Sequence, residues 1–505
     1  MNIAPSLIRN LLDPAAYDHP VAAVELLETH ISWLLLTGEY AYKIKKPVDF
    51  GFLDFSTLAQ RRHYCQEELR LNRRLAPALY LAVVAITGSP AAPRLSGPGS
   101  AIEYAVKMRQ FSQESLMTRV LARGRLQPEQ LDTLAGHIAA FHAQAERAGP
   151  DSPYGTAENV WQPVAQNFAQ IRPHLSNPDQ LARLQSLQGW SEAAYHRLRD
   201  TLAQRKAQGF IRECHGDLHL GNMVLLDGRI TPFDCLEFNA GLRWIDVMSE
   251  VAFLTMDLHA RGHPALAHRF LNRYCESSGD YSGLRLLRFY QVYRALVRAK
   301  VACLRLTQSG LNETEAAATR RDAHRYLALA QDYTRSTPRP LLITHGLSGS
   351  GKTHNTQDLV ETHGAVRIRS DVERKRLFGL PPGARSHAGL DQGLYRPEAS
   401  RRTYERLAAL AQEVLEAGLP VIVDATFLKR EQRAAFRALA RRLGLPFIIL
   451  DFQAPPALLR QRIKARAAAE RDASEATVAV LERQLATAEP LGKNEADQIL
   501  TVTQS

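Results

Sequence analysis

Cysteine is scarce in this 505-residue chain: five residues, at 65, 214, 235, 275 and 303, an odd number with no Cys-x-x-Cys pair. That excludes a disulfide framework or a paired-cysteine zinc site, and it fits a reducing compartment. No apolar run approaches the roughly 20 residues that a membrane helix requires. The start, MNIAPSLIRNLLDP, lacks a basic segment followed by an apolar one, so it does not read as a signal peptide. The expectation is a cytoplasmic protein with no membrane partner. Internal repeats and low-complexity tracts are also missing.

What remains is ordinary globular material, with 45% hydrophobic and 23% charged residues. A chain this long exceeds a single core, so two or three domains are expected. The formal net charge is +11, and the excess is divided between the parts before and after Pro338. It suits phosphate-bearing ligands and leaves nucleic acid open, although a solvated arginine-rich surface gives the same number.

The stretch TRSTPRP (334–340) marks a boundary, because two prolines stop the helical run before it and stiffen a connector. Before it, ISWLLLT and EYAYKIKK flank a Thr37-Gly38-Glu39 corner and read as a hairpin. A helix from about Thr57 to Leu75 follows, then strands at LYLAVVAI and IEYAVKMR, and from Ser112 the pattern is mostly helical. After the boundary, LLITH, AVRIRSD, PVIVDAT, PFIILDF and QILTV alternate with helices, the pattern of a parallel sheet covered on both faces. The expected fold class is an α+β bilobal domain over 1–335 (small lobe about 1–110, helical lobe 111–335), then an α/β domain over 336–505.

Two stretches carry chemistry. In HGDLHLGN (215–222), Asp217 can orient a hydroxyl and take its proton, and Asn222 offers a carbonyl oxygen to a metal. Asp227-Gly228 between apolar runs signals a hairpin that returns the chain to Asn222 and delivers Asp234 as a second metal ligand. This arrangement resembles the aminoglycoside phosphotransferase family, which has a protein-kinase-like fold. The resemblance implies Asp217 as catalytic base, Asn222 and Asp234 as magnesium ligands, and ATP held between lobes. Its phosphate lysine would be Lys43 or Lys45, with Lys43 preferred, and the helix partner Glu67 or Glu68, with Glu68 preferred. A solvated edge strand also accounts for three lysines in four positions. Asp234 is followed by Cys-Leu-Glu instead of Phe-Gly, with Glu237 either a metal or hydroxyl contact or a surface acid. The Gly38 corner has no G-x-G-x-x-G.

GLSGSGKT (346–353) fits G-x-x-x-x-G-K-[ST] after a strand. Gly346, Gly349 and Gly351 free the backbone N–H groups for phosphates, Lys352 reaches the β/γ oxygens, and Thr353 supplies a magnesium hydroxyl. Asp371 and Arg374 follow the next strand, Asp424 ends another, and Arg462, Arg466 and Arg471 lie in a helix–loop–helix segment. Together these residues resemble the P-loop kinases related to polynucleotide kinase, gluconate kinase and the zeta toxins. The resemblance implies Asp371 as base, Arg374 as phosphate or acceptor contact, and the lid arginines as ATP contacts. Asp424 could act on the magnesium shell. The combined expectation is a bifunctional ATP- and Mg2+-dependent kinase acting on hydroxyls. The first domain would take a sugar-like or other small polar substrate, and the second a small metabolite or a nucleic-acid 5′-hydroxyl. A regulatory ATP-binding protein with one active domain, or an RNA/DNA end-processing kinase, are the alternatives.

Overall fold

A computed structural model describes residues 5–51, 53–307, 311–381, 384, 396–469, 475–492, 494–495 and 497–503, side chains of 466–469 excepted. The chain forms two compact units. One comprises Met1–Asp257 with Tyr293–Ala328, the other Leu258–Val292 with Leu329–Ser505.

The first unit opens with six strands: β1 (Glu25–Glu28), β2 (Ser32–Leu36), β3 (Tyr40–Lys45), β4 (Tyr80–Ser89), β5 (Ala92–Leu95) and β6 (Glu103–Arg109), in the sheet order β1-β2-β3-β6-β4-β5. Trp33, Leu35, Tyr42, Ile44 and Ile86 alternate onto one face and form a buried core there. The other face packs Ala41, Tyr80 and Val106 against the helix Leu58–Asn72. Thr57 caps that helix in a reciprocal capping box with Gln60. Its buried stripe is Arg61, Cys65, Glu68, Leu71 and Asn72, so the face that packs is largely charged or polar. Arg61 is satisfied by Glu103 at 2.9 Å and by the Phe55 carbonyl.

The rest of this unit is mainly helical. β7 (Ile211–Glu213) leads into the His215–Asn222 loop, which β8 (Met223–Leu226) and β9 (Arg229–Pro232) follow as a hairpin. Asp227 and Gly228 both have positive φ (47° and 76°), as a two-residue primed turn requires. β10 (Trp244–Asp246) pairs with β7. The helix Val247–Ala260 begins right after it.

In the second unit five strands run parallel: β11 (Leu341–His345), β12 (Val366–Arg369), β13 (Val421–Asp424), β14 (Phe447–Gln453) and β15 (Gln498–Thr503). Their order is β12-β13-β11-β14-β15. The central strands are buried on both faces, which is why they read as continuous apolar runs. The helix Pro264–Ser278 belongs to this unit, and its Asn272 Oδ1 accepts the Arg367 N–H at 2.6 Å on edge strand β12. That bond occupies an edge donor that would otherwise invite another strand. All five cysteines are free and buried. Among the described residues no helix is long and apolar enough to cross a membrane.

Arg205 and Asp246, both almost wholly buried, form a two-point ion pair at 2.6 and 2.8 Å. Removing one partner leaves a buried charge uncompensated, at a cost of about 3–5 kcal/mol. Asp246→Ala should therefore move the first unit's urea transition markedly downward; an unchanged midpoint would show that the pair is not needed.

Candidate active sites

The first constellation is assembled from four separate segments. The hairpin returns the chain so that the Phe233 N–H donates to the Asn222 carbonyl at 2.9 Å, bringing Asp234 beside Asn222. Asn222 Nδ2 donates to Asp217 Oδ2 at 2.8 Å. Asp234 has a φ of 63°, uncommon outside glycine, and its N–H donates to the Tyr80 hydroxyl at 3.1 Å. Its carboxylate takes a bond from Lys43 Nζ at 2.6 Å, across 191 residues of sequence.

Glu68 lies behind this contact and receives both lysines, Lys43 on Oε1 at 2.8 Å and Lys45 on Oε2 at 2.7 Å. Lys45 also bonds Glu237. Glu67 points elsewhere, to Arg70 at 2.8 Å and Arg243 at 3.6 Å. Lys43 is thus the lysine that touches Asp234, while Lys45 is sealed behind it. The edge-strand alternative does not hold: β3 lies between β2 and β6, and both ammonium groups are buried. Glu237 is likewise a buried partner of Lys45 and not a surface acid. Burial pushes the Glu68 carboxyl up, but the two lysines outweigh it and hold it at about 2. For Glu237 burial wins, and its carboxyl is raised.

The turn beside the lysines is not the Gly38 corner. Ser32 pairs with Lys45 while Leu36 pairs with Ala41, so Gly38 stands at the opposite end of the β2–β3 hairpin, its N–H bonded to Gln110 Oε1 at 2.8 Å. The neighbouring turn joins β1 to β2 through Thr29, His30 and Ile31, closed by Thr29 N–H to Ser32 O at 2.9 Å. It contains no glycine. Sequence reading missed it because Glu-Leu-Leu-Glu is too short and too acidic at its ends to stand out as a strand.

The His-Gly-Asp loop is held by residues that sequence reading also missed. Glu250 Oε1 accepts the Gly216 N–H at 2.7 Å, and its Oε2 pairs with His142 at 2.8 Å. Asp257 accepts the Leu220 N–H at 3.0 Å, and Arg294 donates to the Gly216 carbonyl at 3.2 Å. A signal existed: Glu250 and Asp257 stand seven residues apart on one face of the apolar helix Val247–Ala260, where lone acids need partners. Gly216 has a φ of 89°, and a Cβ there would sit 3.0 Å from the Leu242 carbonyl. Burial alone would raise the Asp217 carboxyl, yet His219, Arg298 and His215 outweigh it and hold it well below the usual carboxylate range.

The second constellation surrounds the loop after β11. Gly346, Gly349 and Gly351 all have positive φ, and a Cβ on Gly346 would lie 2.5 Å from the Phe452 carbonyl. Lys352 Nζ donates to the Gly346 and Leu347 carbonyls at 2.9 and 2.7 Å. Thr353 Oγ1 donates to Asp424 Oδ2 at 2.6 Å, because β13 adjoins β11 and ends at Asp424. Arg367, not singled out in the sequence, braces this turn by donating to the Thr353 carbonyl at 2.6 Å and Gln357 Oε1 at 2.9 Å. Asp371 lies in the first turn of the helix Ser370–Leu377, with Arg374 NH1 3.6 Å from it. Arg462 is half-buried on the helix Pro456–Ala469. The Arg466 side chain and Arg471 lie outside the described residues.

Both constellations fit the groups that such sites take. Asp234 and Asn222, and separately Thr353 and Asp424, are all-oxygen donor sets suited to a hard divalent cation. The glycines after β11 form a cradle that side chains would fill.

A kinase-like bilobal domain joined to a P-loop kinase-like domain is therefore the class that fold and sites define. The model described as "Phosphotransferase enzyme family" matches residues 52–287, and that described as "AAA domain" matches 341–491. The chain belongs to the family of an uncharacterized protein of Mycobacterium tuberculosis and its Mycobacterium bovis counterpart. Each is 32% identical to it over 470 residues, covering 92% of this chain and 91% of the relative. Among solved structures, a choline/ethanolamine kinase family protein from Mesorhizobium loti aligns over 65% of this chain and 98% of its own, at 13% identity and a TM-score of 0.36. An amicoumacin kinase aligns over 65% and 94%, at 13% identity and a TM-score of 0.38.

The first unit should be acid-sensitive in a defined window. Glu68, Glu213 and Glu250 are each held at about 2 against an ordinary value of 4.5. Folded, they bind fewer protons than unfolded, so the stability they contribute is complete above pH 4.5 and is lost as the pH falls toward 2. Glu237, shifted the other way, opposes this with a contribution that is lost as the pH rises. The urea midpoint of the first unit should drop steeply across that window and less steeply in Glu250→Gln. Identical slopes for the two proteins would refute the assignment to Glu250.

Proposed function

We propose that this protein is a bifunctional ATP-dependent phosphotransferase, each unit transferring a γ-phosphoryl group to an acceptor hydroxyl. The observation that carries the reading is the meeting of Lys43 with Asp234 at 2.6 Å beside Asn222 and Asp217. A lysine for phosphate, two oxygen ligands and a carboxylate base come from distant segments into one place.

In the first unit Lys43 would bind nucleotide phosphates, and Asn222 and Asp234 would hold Mg2+. The cation would offset charge on the phosphoryl oxygens. Asp217 is ionised at neutral pH, so it is a weak base whose first task is to accept a hydrogen bond from the acceptor hydroxyl and aim it. Its carboxylate takes the proton as the acceptor oxygen bonds to phosphorus and the β–γ bridging bond breaks. Asn222 fixes the Asp217 carboxylate through its amide nitrogen, leaving its own oxygen for the metal.

In the second unit the glycine loop and Lys352 would bind the phosphates, with Thr353 and Asp424 around Mg2+. Asp371 is the base, and Arg374 holds it or the acceptor. Acceptors of the second unit are a small metabolite or a nucleic-acid 5′-hydroxyl. The Asp371 and Arg374 placement supports a hydroxyl acceptor without separating these.

The test is transfer of labelled γ-phosphate from ATP into pooled metabolites and RNA by the intact protein, Asp217→Ala and Lys352→Ala. Each substitution should remove a different product, by about 100-fold or more. If Lys352→Ala abolishes all label and Asp217→Ala changes nothing, the first unit binds or regulates and does not transfer.

A further inference from the structure

The helix Ser370–Leu377, which carries Asp371 and Arg374, is poorly equipped to hold its own place. At eight residues it would be marginal in isolation. In its sequence, SDVERKRL, Val372 is the one apolar side chain that is buried; the other buried side chains are Glu373 and Lys375. No side chain caps its N-terminus. Its position therefore has to come largely from polar contacts with neighbouring segments. Lys375 meets Glu475 at 3.2 Å, and Glu373 lies 3.7 Å from Arg406. The two ends of the helix are both held by a third residue.

That residue is Glu276, in the last turn of the helix Pro264–Ser278. It stands four residues after Asn272, which accepts the Arg367 N–H, so the two share a helix face. The buried Glu276 carboxylate accepts Arg273 NH1 at 2.9 Å and Arg369 NH1 at 3.2 Å. Arg369 is the residue from which the helix Ser370–Leu377 starts. At the other end, the Glu276 carbonyl accepts Arg376 NH2 at 2.5 Å. Arg376 also bonds Glu373 and passes over Gly279, where a Cβ would sit 2.8 Å from its Nε. Gly279 has a φ of 77° and closes the helix Pro264–Ser278, its N–H donating to the Cys275 carbonyl at 2.8 Å. Glycine there serves both the helix end and the approach of Arg376.

We infer that Glu276 is a positioning residue of the second site: taking Arg369 on its carboxylate and Arg376 on its carbonyl, it fixes the helix that aims Asp371 at the acceptor hydroxyl. Charge-assisted bonds at both ends of so short a helix restrain its tilt and its shift along the axis. A displacement of about 1 Å at a reacting group costs on the order of a hundredfold in rate, even when its cause lies far from the chemistry. Glu276 falls within the stretch that matches the phosphotransferase model, 52–287, and Asp371 within the stretch that matches the AAA domain, 341–491. The second site thus depends on a residue outside its own matched stretch. The inference rests on the kinase reading, in which Asp371 is the base.

The test uses the full chain with Asp217→Ala as parent, so that label passes only through the second site. It follows the Lys352-dependent product formed from ATP in pooled metabolites and RNA. Glu276→Gln keeps the size and an acceptor oxygen but removes the charge that holds Arg369. It should lower the rate at saturating ATP about ten- to hundredfold, with KM for ATP unchanged. Asp371→Asn should also be slow. Adding Glu276→Gln to Asp371→Asn should cost nothing more, because a residue that acts through Asp371 then has nothing left to aim. Arg376→Met leaves the Glu276 carboxylate paired and should repeat the pattern, including where Glu276→Gln fails to fold. The inference is overturned if both variants keep the parent rate, if KM for ATP rises in step with the loss, or if the losses multiply on Asp371→Asn, as a general weakening of the unit would make them. A slow Asp371→Asn beside parent rates in Glu276→Gln and Arg376→Met refutes the inference alone. A parent rate in Asp371→Asn, with Lys352→Ala still abolishing label, refutes the base assignment and the inference with it.

Discussion

Two lysines on neighbouring inward positions of one strand are the constraint on which the first unit is organised. An ammonium group loses several kcal/mol of hydration on burial unless partners replace the water. Lys43 and Lys45 can be buried on β3 because Glu68 offers one carboxylate oxygen to each, and Asp234 and Glu237 complete the set. That requirement fixes the helix Leu58–Asn72 against the sheet and draws the chain after β9 to the same point. Its consequence is chemical: the carboxylate proposed for a metal is held by the lysine proposed for phosphate.

The second unit solves a related problem with backbone. Its loop after β11 uses glycines at positive φ to keep carbonyls and side chains out of a concave turn, and the parallel order of β13 and β11 supplies Asp424 to Thr353. Arg367 then ties the following turn to β12. Each unit thus places an acid by strand pairing and then holds it with a donor from elsewhere. The donor is a lysine in the first unit and a threonine hydroxyl in the second.

Local patterns made much of this legible. The 2-residue turn at Asp227-Gly228, the parallel-strand runs and the glycine loop each depend on neighbours within about ten residues, so their residues alone specify them. The edge-strand alternative for AYKIKK failed because lysine count carries no information about partners. The buried face of Leu58–Asn72 escaped hydropathy because Arg61, Glu68 and Asn72 line it. Likewise, nothing in the local sequence marks 258–292 as part of the second unit, since tertiary packing alone assigns that segment.

The sequence by itself determined the two phosphate-handling stretches, the β-rich and helical lobes, and the alternating strands and helices, because periodicity and turn chemistry are short-range properties. Only the tertiary structure decided which lysine meets Asp234, that Glu68 and not Glu67 receives both lysines, that the turn beside them is Thr29–Ile31, and that Glu250, Asp257 and Arg294 hold the loop. Those are pairings of charges and donors far apart in the chain. Burial makes such pairs obligatory, but only folding chooses the partners.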